Sequence, residues 1–136
     1  MTMKSLLRME ELAQFLFVLG VIIMWQQRLD LPWWIYLLLV LGPDISMLGY
    51  LVNPRVGAVA YNLFHHKGVA LIIIAAGMAS IASEPFMRGS DVENQLILAG
   101  LILYGHASMD RIFGYGLKFG DSFQHTHLGW IGKMKQ

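Results

Sequence analysis

Four ionisable side chains interrupt apolar stretches of this sequence, and their types suit metal binding. They are Asp44, His65, His106 and Asp110. Residues four apart lie on one face of a helix, so His106 and Asp110 could offer an imidazole nitrogen and a carboxylate oxygen to one ion. The chain has no cysteine, which excludes thiolate ligands and a cysteine nucleophile. Imidazole and carboxylate ligands suit zinc, iron or manganese.

The four side chains would also share a depth if each stretch crosses a membrane. Asp44 lies about nine residues before the end of its stretch and His65 about ten after the start of its own. At about 1.5 Å per residue these two lie roughly 12–15 Å from the same end of a bundle, with His106 and Asp110 slightly nearer that end. Charged groups at such depth are costly and usually mark a functional site.

Neighbouring residues could support such a site. Tyr61 and Asn62 precede His65 by four and three positions, so all three can share one helix face. Pro43 has no backbone N–H, which leaves the carbonyl of Leu39, one turn earlier, without its helical partner. These positions predict polar groups around the imidazole and the carboxylates.

Roles follow from these positions. We assign His65, His106 and Asp110 as metal ligands and Asp44 as the catalytic base that takes a proton from a metal-bound water. Arg111 points away from the pair, towards lipid phosphate or Glu10. The competing interpretation is structural pairing, with each carboxylate bonded to a nearby histidine, tyrosine or arginine.

The elements that must position these residues are predicted to be transmembrane helices. Of the 136 residues 56% are hydrophobic and 14% charged, with a mean hydropathy of +0.53. A span needs about 20 apolar residues. Four stretches qualify and predict an all-α, four-helix transmembrane bundle forming a single domain over 1–136, with spans at about 11–27, 33–51, 56–83 and 94–113. A stripe of small residues, Gly42, Ser46 and Gly49, predicts close helix packing.

Basic residues predict the orientation, because cytoplasmic segments carry the excess of Lys and Arg. The N-terminus, the second connection and the C-terminal side hold Lys4, Arg8, Arg55, Lys67, Arg111, Lys118, Lys133 and Lys135, whereas the other connections hold only Arg28 and Arg88. We therefore expect a multi-pass protein of the inner (cytoplasmic) membrane with both termini in the cytoplasm. Its short amphipathic C-terminal tail, rich in aromatic residues, could lie on the membrane and bring a histidine over the site.

Five motifs carry a resemblance to a known family. They are PDISMLGY at 43–50, NPRVG at 53–57, YNLFH at 61–65, HASMDRIFGYGLK at 106–118 and THLG at 126–129. The chain resembles, over nearly its whole length, a family of small bacterial membrane proteins known as domain of unknown function 4260. The resemblance implies a four-span membrane protein without an established activity. It also points to His127 as a motif residue beside the four above, and so as a further candidate ligand.

Three functional hypotheses remain open from the sequence. The first is a metal-dependent hydrolase acting on a lipid-like substrate from the cytoplasmic leaflet. The second is a non-enzymatic accessory subunit that binds a cofactor or ion within a larger membrane complex or homo-oligomer. The third, a proton-coupled transporter, has little room for alternating access in four helices. The expected environment is the lipid bilayer, with no nucleic-acid partner.

Overall fold

The structure is a computed structural model that describes residues 2–83 and 91–132. Within these ranges the chain is all-helical apart from a short antiparallel hairpin. The elements are α1 (Met3–Leu29), α2 (Ile35–Leu41), a 3₁₀ helix (Gly42–Leu51), α3 (Pro54–His65), α4 (Lys67–Ser83), α5 (Asp91–Phe113), β1 (His125–Thr126) and β2 (Gly129–Trp130). Three of the basic residues used to predict orientation, Arg88, Lys133 and Lys135, lie outside the described ranges.

Local sequence signals set several helix ends. The side chain of Thr2 accepts a hydrogen bond from the backbone N–H of Ser5 and caps the start of α1. Asn53 caps α3 in the same way, with Pro54 in the first helical position. α1 ends where Asp30 adopts a left-handed conformation, with φ of 51°.

Two of the predicted spans are interrupted at the residues that could do chemistry. The stretch 33–51 changes from α-helix to 3₁₀ helix at Gly42, beside Pro43, and Asp44 follows directly. The stretch 56–83 breaks at His66, where α3 and α4 meet at 47°, and His65 is the last residue of α3. Helix breaks free backbone groups for side-chain hydrogen bonds, which is where buried polar sites are commonly built.

These interruptions limit how far the structure supports four membrane spans. Among the described residues, α5 is the one helix that is long and apolar enough to cross a membrane by length and composition. The bent pair of α3 and α4 makes a second if it counts as one span, while 35–51 is a shorter apolar helix. The all-helical architecture is therefore confirmed, and the four-helix transmembrane bundle is not.

The helices pack closely through small residues. A Cβ atom at Gly100 of α5 would lie 2.5 Å from the Ile74 side chain and 2.8 Å from the Ala70 carbonyl of α4. A Cβ at Gly49 would lie 3.0 Å from that of Ala60, so this member of the predicted stripe does meet a neighbouring helix. The buried apolar core between α1, α2 and α5 consists of Val18, Ile22, Ile35, Leu39, Ile97, Leu101 and Ile102.

Candidate metal centre

The four ionisable side chains singled out by the sequence meet in one cluster. One nitrogen or oxygen atom from each of Asp44, His65, His106 and Asp110 lies within 4.8 Å of the other three. His106 Nε2 is 3.3 Å from Asp44 Oδ1 and 3.7 Å from Asp110 Oδ1. His65 Nε2 is 3.5 Å from Asp44 Oδ1 and 3.4 Å from Asp110 Oδ2. The structure therefore brings together the four side chains that the sequence singled out.

Burial of the cluster is uneven. The His106 side chain is fully buried and that of His65 is 3% exposed. The Asp110 side chain is 15% exposed, whereas Asp44 is 32% exposed. The cluster is therefore enclosed on the side of the two imidazoles and most accessible beside Asp44.

Backbone carbonyls fix the orientation of both imidazoles. His65 Nδ1 lies 2.8 Å from the Tyr61 carbonyl, and His106 Nδ1 lies 3.0 Å from the Leu39 carbonyl. A carbonyl oxygen only accepts, so each Nδ1 carries the hydrogen and a neutral ring has its lone pair on Nε2. The Leu39 carbonyl is available because Pro43, four residues later, has no N–H to occupy it. A metal-binding histidine usually donates its other ring N–H in this way.

With neutral imidazoles, hydrogen-bond acceptor atoms therefore face one another in the cluster. The two Nε2 atoms face two carboxylates at 3.3–3.7 Å. His106 Nε2 is within hydrogen-bond distance of Asp44 Oδ1, at 3.3 Å, whereas the buried Nε2 of His65 has no hydrogen-bond partner among the described residues. Acceptors at this separation repel one another unless protons or a cation lie between them. A divalent cation would balance the charge of both carboxylates while leaving both imidazoles neutral.

The distances fit a small tetrahedral ion. With metal–ligand bonds of about 2.1 Å, neighbouring ligands at the corners of a tetrahedron lie about 3.4 Å apart. The four imidazole-to-carboxylate distances of 3.3, 3.4, 3.5 and 3.7 Å lie near that value. The two distances to Asp110 end on different oxygens, and one atom from each of the four side chains lies within 4.8 Å of the others. These side chains could hold zinc, iron or manganese, in line with the choice of ligand atoms.

Tyr61 orients two members of the cluster at once. Its hydroxyl donates a hydrogen bond of 2.5 Å to Asp110 Oδ2, and its ring stacks on that of His65 with centroids 3.7 Å apart. Because its carbonyl also receives His65 Nδ1–H, Tyr61 holds the imidazole through both backbone and ring. The predicted supporting role of Tyr61 agrees with these contacts.

Asn62 hydrogen-bonds to the segment after α5 and not, among the described residues, to the cluster. Its side-chain amide donates to the Lys118 carbonyl at 2.9 Å and accepts from the Lys118 N–H at 2.7 Å. The Lys118 side chain is 5% exposed, and its ammonium group lies 4.0 Å from the Phe123 ring centroid and 5.0 Å from that of Tyr61. Burial lowers the pKa of Lys118, while the charge of Asp110 acts in the opposite direction.

From the sequence, Lys118 counted only as one of the basic residues that indicate orientation, and its contacts beside Tyr61 were not predicted. The signal was nonetheless present. Lys118 ends the motif that begins at His106, and aromatic residues flank it at Tyr115 and Phe123. A lysine among aromatic residues is a common cation–π pattern, although only the fold shows which rings it contacts.

The structure does not bring His127 to the cluster. Its Nδ1 accepts a hydrogen bond from the Leu117 N–H at 2.8 Å, so a neutral ring carries its hydrogen on Nε2, the tautomer opposite to that of His65 and His106. His127 lines a separate cavity together with Arg111. Burial and the nearby positive charge of Arg111 both lower the pKa of His127.

The other two predicted supporting residues also lie away from the cluster. Arg111 Nη1 is 3.6 Å from Glu11 Oε1, so its partner on α1 is Glu11. Glu10 is exposed and accepts a hydrogen bond of 3.3 Å from the side chain of Gln14. The C-terminal end of α5 is thus fixed beside the N-terminal part of α1.

Fold and site together define an all-helical protein with a largely buried cluster of two histidines and two aspartates that could hold a metal ion. A model of the family described as a domain of unknown function (DUF4260) matches residues 4–131, and the chain belongs to this family. Comparison with curated proteins found no match, and comparison with solved structures found none either.

Proposed function

We propose that this protein is an integral membrane, metal-dependent hydrolase that cleaves a lipid-like substrate taken from the cytoplasmic leaflet. The observation that carries the proposal is the geometry of the cluster. Two imidazoles held by backbone carbonyls present their Nε2 atoms 3.3–3.7 Å from two carboxylates, the spacing of ligands around a single small ion.

The distribution of side chains supports a membrane location. Some polar side chains of the helices are buried, among them Ser108 at 0% and Ser46 at 6% exposure. Large apolar side chains lie outside, among them Phe17 at 71%, Val59 at 71% and Ile72 at 70%. An exposed apolar surface of this extent is unfavourable in water and favourable in lipid. Together with α5 as a candidate span, this supports a multi-pass protein.

The charge distribution supports a cytoplasmic site. The ion pair of Arg111 with Glu11 sets the end of α5 that carries Asp110 beside the start of α1, where Lys4 and Arg8 lie. Cytoplasmic ends of membrane helices are enriched in such basic residues. The cluster and these basic residues therefore lie towards the same end of the helices, as expected for a site that faces the inner leaflet.

The proposed chemistry divides the four side chains into ligands and a base. His65, His106 and Asp110 would hold the metal, which when bound would make water a nucleophile at neutral pH. Asp44, the most exposed member, takes the proton of that water as the oxygen bonds to the acyl carbon or phosphorus of an ester. The bond to the leaving oxygen then breaks, and that oxygen receives the proton from Asp44. The products are an acid and an alcohol.

The surroundings of Asp44 favour an amphiphilic substrate. The apolar side chains of Leu41, Ile45 and Leu48, on the same stretch of chain, are 61%, 63% and 60% exposed. A substrate that reaches Asp44 along this surface would pass through lipid. Its ester would meet the cluster while its acyl part stays among apolar side chains.

Hydrolysis by the detergent-purified protein tests the proposal. A panel of short-chain carboxylic and phosphoric esters is incubated with the metal-loaded wild type and with His65→Ala. The matched control is His66→Asn, since the adjacent His66 is exposed and caps the Gly68 N–H, which asparagine can also do. We expect hydrolysis by the wild type and the control, and none by His65→Ala. Metal binding without hydrolysis of any ester would contradict the enzyme and favour the accessory subunit.

A further inference from the structure

A second cavity lies near the start of α1, outside the metal cluster. Its volume is about 500 Å³, and its walls come from the first turns of α1, the end of α5 and the C-terminal hairpin. Five of its lining side chains can donate hydrogen bonds to an anion, namely those of Lys4, Arg8, Arg111, His127 and Trp130. No acidic side chain other than that of Glu11 lines it within the described ranges.

The positive charge of this cavity is not balanced by its own carboxylate. Glu11 forms ion pairs with both Arg111 and Lys67, so its single charge is shared between two cations. Neither Lys4 nor Arg8 has a carboxylate partner in residues 2–83 and 91–132. The two lie one turn apart on the same face of α1. The cavity therefore holds cations that a bound anion would neutralise.

His127 adds a neutral donor to the same cavity. Because its Nδ1 accepts the Leu117 N–H, its Nε2 carries a hydrogen that can be donated to a ligand oxygen. Arginine pairs with phosphate through two parallel N–H bonds, which makes a wall of Arg8 and Arg111 better suited to phosphate than to a halide.

Apolar surface continues from the cationic wall. Leu7, Leu128 and Trp130 line the same cavity and are 47%, 41% and 45% exposed. Further along α1 a second, mainly apolar cavity of about 420 Å³ runs beside α4 and α5, and its lining includes Phe17 and Leu71. Charged donors followed by an apolar groove along one helix match the order of headgroup and acyl chain in a lipid.

We propose that the cavity formed by Lys4, Arg8, Arg111 and His127 binds the phosphate-bearing headgroup of an anionic lipid, with an acyl chain along the groove beside Phe17. The basic residues lie at the end of the bundle where anionic cytoplasmic headgroups would meet them. The proposal requires the membrane location but not the metal centre. It applies whether this lipid is a substrate or a permanent ligand.

Equilibrium binding to the detergent-purified full chain tests it. The probes are a short-chain phosphatidate, the diacylglycerol of the same chain length and inorganic phosphate. We expect phosphatidate to bind more tightly than either of the others. Arg8→Gln should weaken phosphatidate binding about tenfold or more, because it removes a charge-assisted pair of hydrogen bonds. The control is Arg28→Gln, an exposed arginine at the far end of the same helix, which should leave binding unchanged.

Three outcomes would overturn the proposal. The first is that diacylglycerol binds as tightly as phosphatidate. The second is that inorganic phosphate binds as tightly as phosphatidate, which would indicate a soluble phosphate ligand. The third is that Arg8→Gln and Arg28→Gln weaken phosphatidate binding equally. Lys4→Gln guards against a folding defect, since Lys4 is exposed in the first turn of α1 and its removal should also weaken phosphatidate binding. Binding that persists in His106→Ala would separate this site from the metal centre, so the failure of one proposal does not decide the other.

Discussion

Replacing Tyr61 with phenylalanine removes one hydroxyl from the site and nothing else. The ring that stacks on His65 stays, as does the backbone carbonyl that receives His65 Nδ1–H. The lost contact is the 2.5 Å hydrogen bond to Asp110 Oδ2. Since the ring is 3% exposed and keeps its shape, the helix should fold as before.

The size of the effect follows from what else holds Asp110 in place. Its other close neighbours in the cluster are the Nε2 atoms of His65 and His106. In neutral rings these atoms carry lone pairs, so they donate no hydrogen bond to Asp110 before metal binds. Without the hydroxyl the carboxylate must be ordered on binding, at about 0.5–1.5 kcal/mol for a mobile side chain. Loss of such an outer hydrogen bond typically weakens metal affinity by about 10–100-fold. We expect the dissociation constant of Tyr61→Phe to rise about tenfold, or about 1.4 kcal/mol.

The assay is a competition titration of the metal-free, detergent-purified protein against a chromophoric zinc chelator. Tyr36→Phe is the matched control, because the Tyr36 hydroxyl also donates to a side chain, that of Gln26, away from the cluster. The control should bind zinc as tightly as the wild type. Equal affinities for wild type and Tyr61→Phe would refute the role given to this hydrogen bond, and so would an equal loss in both variants.

Three further predictions concern helix packing, an ion pair and the proposed base. Gly57→Ala would place a Cβ 2.2 Å from the ring of Tyr50. It should therefore destabilise the fold by about 1–3 kcal/mol and lower the thermal midpoint of unfolding. An unchanged midpoint would contradict the close contact between Gly57 and Tyr50. Lys67→Met leaves the mostly buried Glu11 with one of its two cations. It should lower the free energy of unfolding by about 1–3 kcal/mol, the cost of a lost partner at a buried polar group. Equal stability in chemical unfolding would show that the ion pair is not needed. Asp44→Asn should retain the metal and lose hydrolysis if Asp44 is the base; loss of metal would make it a ligand instead.

Much of the site could be predicted because its spacing is encoded locally. The spacing of His106 and Asp110 places both on one helix face, and the contact between them needs no tertiary information. Pro43 likewise predicts a free carbonyl at Leu39, which the structure shows accepting the His106 Nδ1–H. The meeting of three helices at this point was inferred from matching depth in a membrane, a weaker signal. The structure brings the four side chains together, while their depth in a membrane stays a prediction.

Other features depended on contacts between distant parts of the chain. Lys67 was counted as a cytoplasmic charge, yet it is 14% exposed and is bonded to Glu11 and Gln14 of α1. Hydropathy could not show this, because the partners lie more than 50 residues away in sequence. The fold of the tail also escaped prediction, since Asn62 on α3 fixes the position of Lys118. Periodicity describes individual helices but not the segments that their packing orders.

The central claim is that His65, His106 and Asp110 hold one metal ion beside Asp44, and metal content tests it most directly. Elemental analysis is made of wild-type protein purified without chelators, alongside the double variant His65→Ala/His106→Ala and the His66→Asn control. We expect about one transition-metal ion per chain in the wild type and the control, and only background metal in the double variant. Background metal in the wild type, with no uptake of added zinc, iron or manganese, would contradict it.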